Sequence, residues 1–151
     1  MIIASQRFGD AVRSLIPSQV GSVETGTMIQ KLNRATSIAM EHGIDHVDWG
    51  DSNMTVLYPS NIKSINREAP GGGFFYQFGI ANIIDLLQFI DTKDQTLSYY
   101  GLSTYEVQEF ARALGSRGID RIVPIGRALE FGHVWDGYDL FHEFTRAGIV
   151  G

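Results

Sequence analysis

The chain has 151 residues, enough for one domain with a real core, since a chain this size hides roughly 70% of the surface its unfolded form exposes. Its hydrophobic fraction of 44% suits an ordinary globular protein, and a formal charge of −5 without any basic run argues against a nucleic-acid partner. There is no cysteine, which excludes disulfides, zinc–thiolate sites and thiol catalysis within the chain. No stretch approaches the roughly 18 apolar residues of a membrane span, and the opening Met1 to Arg7 is too short in apolar residues for a signal peptide. A cytoplasmic protein is the expectation.

Helical and strand-like periodicities alternate along the chain, which predicts a single α/β domain. A first helix covers Ser5 to Ile16 and stops at Pro17. A second runs from about Val23 to Glu41, its apolar stripe made by Ile29, Leu32, Ala35 or Thr36, and Ala39. Gly43 then stands where a glycine ends a helix, with His42 in the last turn. Strands at Asp45–Trp49 and Met54–Tyr58 are joined by the turn-forming Gly50-Asp51-Ser52-Asn53.

Asn61 to Glu68 is polar and irregular, and Gly73 to Phe78 reads as a strand. Ile80, Ile83, Ile84 and Leu87 are spaced for an amphipathic helix over Ala81–Ile90, and Thr96–Tyr100 is a strand again. Ser103 with Glu106 three residues on forms a capping box for a helix with Val107, Phe110, Ala111 and Leu114 on one face. Ile119–Ile125 follows as a buried strand, and a last helix spans roughly Asp136–Arg146. The predicted arrangement is a three-layer α/β fold. Thr96–Tyr100 and Ile119–Ile125 share a sheet beneath the helix from Ser103, with Phe110 and Leu114 buried against it.

Three clusters invite a chemical reading. His42 and His46 have the spacing of helix-borne metal ligands, but Gly43 should break the helix between them and no third ligand is near, so no metal site is expected. Gly71-Gly72-Gly73 precedes a strand instead of following one, and no Gly-Lys-Ser/Thr follows, unlike a phosphate loop. It is either a flexible strand entry or a place where backbone approaches a ligand closely. Asp139, His142 and Glu143 share a helix face that is more simply a solvated one, while Asp136 suits a first helical turn.

The second half adds a resemblance. Gly118-Ile119-Asp120-Arg121-Ile122-Val123-Pro124-Ile125-Gly126-Arg127-Ala128-Leu129-Glu130-Phe131, then Val134-Trp135-Asp136-Gly137-Tyr138-Asp139-Leu140, closely resembles the carboxy-terminal end of long-chain fatty-acyl reductases. These are the LuxC-type enzymes of the aldehyde-dehydrogenase superfamily, which supply aldehyde to bacterial bioluminescence and related pathways. Gln95 to Ser103, and Met54-Thr55-Val56 into Phe74-Phe75-Tyr76, look like the same family; residues 1–44 add little.

Glu68-Ala69-Pro70-Gly71-Gly72 falls where aldehyde dehydrogenases carry an acidic residue, an aromatic and Gly-Pro, the acid holding the ribose beside the nicotinamide. Pro70 replaces the aromatic, so Glu68 alone is carried over as a cofactor-binding residue.

The resemblance implies half of an aldehyde-dehydrogenase catalytic domain over 1–130, with a docking segment and helix over 131–151. It implies reduction of a long-chain acyl thioester to fatty aldehyde by NADPH through a cysteine thioester. That cysteine and the dinucleotide loops lie upstream of the matched region, so the chain reads as a fragment acting with an amino-terminal portion or another subunit, and prone to self-association. The alternative is a non-enzymatic binding or assembly module derived from the same domain. The segment from Phe131 to Tyr138 concentrates four large side chains and is expected to be ordered, either docked on a partner or completing the local core.

Overall fold

The computed structural model describes residues 2–19, 21–50, 52–135, 137–146 and 148–149. They form a mixed α/β protein of small sheets with flanking helices, divided into two compact units, Met1–Gly79 and Ile80–Gly151. The division expected at residue 130 lies within the second unit.

In the first unit, α1 (Ile2–Gln19) continues through Pro17 instead of stopping before it. Proline lacks the N–H for a helical bond and crowds the preceding turn. At Pro17 only the final turn is affected, because two residues later the helix ends anyway.

The second helix, α2 (Thr25–His42), closes at Gly43 with a φ of 76°. Its buried residues are Lys31, Ala35 and Ile38, one helical face at i, i+4, i+7. The expected stripe is therefore displaced: Ile29 and Leu32 are more than half exposed. Lys31 can turn inward because its ammonium donates to the carbonyls of Ser52 (3.0 Å) and Gly72 (2.8 Å).

Three strands follow, β1 (Ile44–Asp48), β2 (Thr55–Pro59) and β3 (Phe74–Tyr76), in the order β1-β2-β3. The first pair is antiparallel, with Val47 opposite Leu57 and Asp48 opposite Val56; the second is parallel. Ala35, Ile38, Leu57, Ile65 and Phe74 form the core, with Ile44, Val47 and Tyr76 against it. Side chains alternate across a strand, so Val56 and Asp48 face away from that core. There Arg13 of α1 donates to the Asp48 carboxylate. Asp51 of the expected β1–β2 turn lies outside the described residues.

The second unit opens with a 3-10 helix, Ile83–Gln88, where the spacing predicts an α-helix over Ala81–Ile90. Asn82 accepts from the Ile84 N–H while Asp85 accepts from the Asn82 N–H, closing a tight first turn. The Asp91–Asp94 turn ends the segment before α-helical propagation can repay its nucleation.

Next come β4 (Thr96–Tyr99), α3 (Thr104–Leu114) and β5 (Arg121–Pro124), the two strands in one sheet as expected and parallel, so that the three elements make a βαβ unit. Phe110 and Leu114 are buried and α3 packs against the 3-10 helix. The β5 strand is half-buried and shorter than expected. Gly118, with φ 143°, passes so close to the Asp91 carbonyl that a Cβ would sit 2.1 Å from its oxygen.

A short hairpin, β6 (Val134–Trp135) and β7 (Tyr138–Asp139), leads into α4 (Leu140–Phe144), where one longer helix was expected. Asp136 lies outside the described residues. Among the described residues no helix is long and apolar enough to cross a membrane.

Candidate functional site

Glu68 lies on the loop between β2 and β3, and its side chain is exposed. Its backbone is firmly held. The Glu68 carbonyl accepts from Arg34 Nε (3.2 Å) and from the Tyr76 hydroxyl (2.9 Å), and its N–H donates to Asn66 (3.2 Å). Arg34 also donates to the Asn66 carbonyl and to the Tyr76 hydroxyl (3.3 Å). One guanidinium on α2 thus ties the loop to the sheet. A guanidinium presents five donors in a rigid fork, which suits it to bind several carbonyls at once. The loop offers a carboxylate on a fixed backbone.

Beyond Pro70, the three glycines have φ values of 80°, 58° and 74°, a region that side-chain-bearing residues rarely adopt. A Cβ on Gly73 would lie 2.0 Å from the Asn53 carbonyl oxygen, and one on Gly72 2.5 Å from Thr27 Cγ2. The close approach is to the chain's own backbone and helix. Only Gly71 faces open space. Lys31 fastens this loop to the 52–53 turn through the carbonyls of Gly72 and Ser52, beside a cavity of about 380 Å³ lined also by Met28, Leu32, Trp49 and Thr55.

The other clusters separate. Gly43 places His42 at the end of α2 beside Glu41 (3.5 Å), while His46 stands on β1, its ring 5.6 Å from Tyr58. Asp139 caps α4, accepting from the N–H groups of Phe141 (3.1 Å) and His142 (3.4 Å). Among the described residues no group of three or more His, Asp or Glu side chains is placed to hold a metal ion. Ser103 is likewise engaged: its hydroxyl donates to Glu106 (2.6 Å), and that bond holds the Glu106 carboxyl below its ordinary range.

The segment after Phe131 forms the β6–β7 hairpin, with Val134 opposite Asp139 and Trp135 opposite Tyr138. Phe131 stacks on Trp135 with centroids 5.4 Å apart, and the Arg121 guanidinium lies 5.0 Å from the Trp135 ring centre. Arg121 also donates to the carbonyls of Arg127 (3.2 Å) and Glu130. A Cβ on Gly137 would press on the Asp120 carboxylate at 3.1 Å. Yet Phe131 is 78% exposed, Tyr138 62% and Val134 51%, so the segment is shaped without being covered.

Sequence reasoning missed Lys31, Arg34 and the Arg13–Asp48 pair. The first left a trace, a lysine at i with Ala35 and Ile38 at i+4 and i+7. The other two meet partners more than 30 residues away, for which no local pattern exists. Compared with known protein families, with curated proteins and with solved structures, the chain matches none.

Proposed function

We propose that the chain is the carboxy-terminal part of a LuxC-type long-chain fatty-acyl reductase, acting in the cytoplasm with a cysteine-bearing amino-terminal partner. In this reading its units belong to the three-layer catalytic half of an aldehyde-dehydrogenase fold. The supporting observation is the hairpin: the segment that bears the resemblance is ordered by stacking and by Arg121, while its large apolar side chains remain in water. Large apolar side chains left exposed within one short segment fit an interaction site.

Glu68 fits the role of holding a ribose. A carboxylate accepts hydrogen bonds from sugar hydroxyls, and the clamp from Arg34 and Tyr76 fixes where it stands. When bound, NADPH supplies the hydride, and the partner's cysteine takes the acyl group as a thioester. This chain contributes one wall of the cleft and a subunit contact.

The pure chain, given NADPH and a long-chain acyl-CoA, should form no aldehyde. Adding a cysteine-bearing amino-terminal chain recovered by co-purification, identified by intact mass, should restore NADPH oxidation. Within that assembly Glu68→Ala should raise the KM for NADPH while leaving acyl loading of the cysteine intact. Aldehyde production by the pure chain, or an unchanged KM, would sink the mechanism. The second reading is a non-enzymatic assembly module, favoured by the same exposed hairpin. It gains the argument if every co-purifying chain lacks both a reactive cysteine and NADPH binding.

A further inference from the structure

The face of the sheet turned toward α1 holds a groove with two chemically distinct ends. One compartment, about 390 Å³, is lined chiefly by Phe8, Val12, Met54, Val56 and Phe75. The next, about 290 Å³, adds Gln6, Asp10, Arg13, Asp48 and Tyr58. Gly9, Met54, Val56 and Gln77 border both, so the two are continuous.

Gly9 stands at their junction, in the interior of an 18-residue helix. Only proline suits a helix interior less well than glycine. Nothing inside the protein accounts for it: its φ is not positive, and an added Cβ would meet no atom within 4 Å. The space it leaves opens onto the groove.

We propose that this groove binds a small amphiphile, an aliphatic chain passing over Gly9 with a hydrogen-bonding end group that bears no negative charge in the polar compartment. The apolar compartment is of the size that small ligands occupy, too small for a partner helix. The end group follows from charge. Arg13 is paired with Asp48 and lies 3.8 Å from Asp10, so a carboxylate entering there meets two carboxylates against one guanidinium. An alcohol, an amide or an ammonium escapes that penalty and can exchange hydrogen bonds with Gln6, Tyr58 and Gln77. This inference does not rest on the reductase reading, since Phe8 to Arg13 lie outside the resembling segments.

Isothermal titration of the full chain with decan-1-ol, decanoate and decylamine tests it. Decan-1-ol should bind with one-to-one stoichiometry, decylamine at least as tightly, and decanoate at least about tenfold more weakly at pH 7. Gly9→Leu, which fills the junction, should lower decan-1-ol affinity at least about tenfold. Gly9→Ala, which sets one methyl group where the chain passes, should lower it by a smaller factor, about threefold. Helicity by circular dichroism should be equal or higher in both. Gly26→Leu, at a helix glycine outside the groove that also faces open space, should change nothing. Val12→Trp blocks the same compartment from another position should Gly9→Leu fail to fold. Absence of decan-1-ol binding, or binding undiminished in the blocking variants, overturns the site. Decanoate binding as tightly as the alcohol, or decylamine binding more weakly than it, overturns the end-group assignment. Self-association abolished by Gly9→Leu without any alcohol binding assigns the groove to a second copy and overturns the proposal too.

Discussion

At residue scale, the three consecutive glycines are not equivalent. Gly73 combines a φ of 74° with a neighbouring carbonyl that leaves no room for a methyl group, whereas Gly71 has the φ alone. Gly73→Ala should therefore cost at least about 2 kcal/mol and Gly71→Ala about 1 kcal/mol, read from urea midpoints at constant m-value. Equal costs would mean that conformation alone matters. Charge has a residue-scale consequence as well. The hydrogen bond from Arg13, helped by the Gly50 N–H and by the charge of Arg13, holds the Asp48 carboxyl below its ordinary 3.8 despite partial desolvation. A depressed folded-state pKa stabilises above the unfolded value and is lost as pH falls through the folded one. The stability of the chain should thus decline as pH drops below 3.8 toward that lower value, and Asp48→Asn should flatten this part of the acid limb in pH-dependent unfolding.

At the scale of elements, α3 shows local and tertiary signals in agreement. Ser103 accepts from the Glu106 N–H and Glu106 accepts from the Ser103 N–H, so both ends of the capping box are made. Ser103→Ala should cost about 1 kcal/mol. Phe110, wholly buried, carries more: Phe110→Ala should cost about 3–5 kcal/mol in the same denaturation experiment. The reverse ranking would indicate that α3 is held by its own turn and not by packing. The 3-10 helix Ile83–Gln88 shows the two signals in conflict. Its apolar spacing is helical, but capping by Asn82 and the early Asp91–Asp94 turn tighten it.

At the scale of the whole molecule, exposed apolar side chains are the informative feature: Leu129, Phe131, Phe141 and Phe144 are each more than 60% exposed. Sedimentation velocity should show self-association that strengthens with concentration and persists in high salt, as apolar contact requires. Trp135→Ala should weaken assembly with little change in helicity. A clean monomer at high concentration would leave the exposed hairpin without a function in assembly, and unfolding on removal of Trp135 would make the ring a local support for Arg121 and Phe131.

What the sequence determined by itself is what local physics controls. The capped start of α3, the end of α2 at Gly43, the β1–β2 pair and the burial of Phe110 and Leu114 all follow from spacing, capping chemistry and glycine conformation within a few residues. Only the tertiary structure decided which face of α2 turns inward, because burying Lys31 depends on carbonyls of Ser52 and Gly72 that are distant in sequence. It also decided that Gly72 and Gly73 serve the chain's own packing, that Arg34 anchors the Glu68 loop, and that Gly9 opens onto a groove. Each of these rests on groups brought together from far apart in the chain, and a contact between distant residues leaves no period in the sequence from which it can be read.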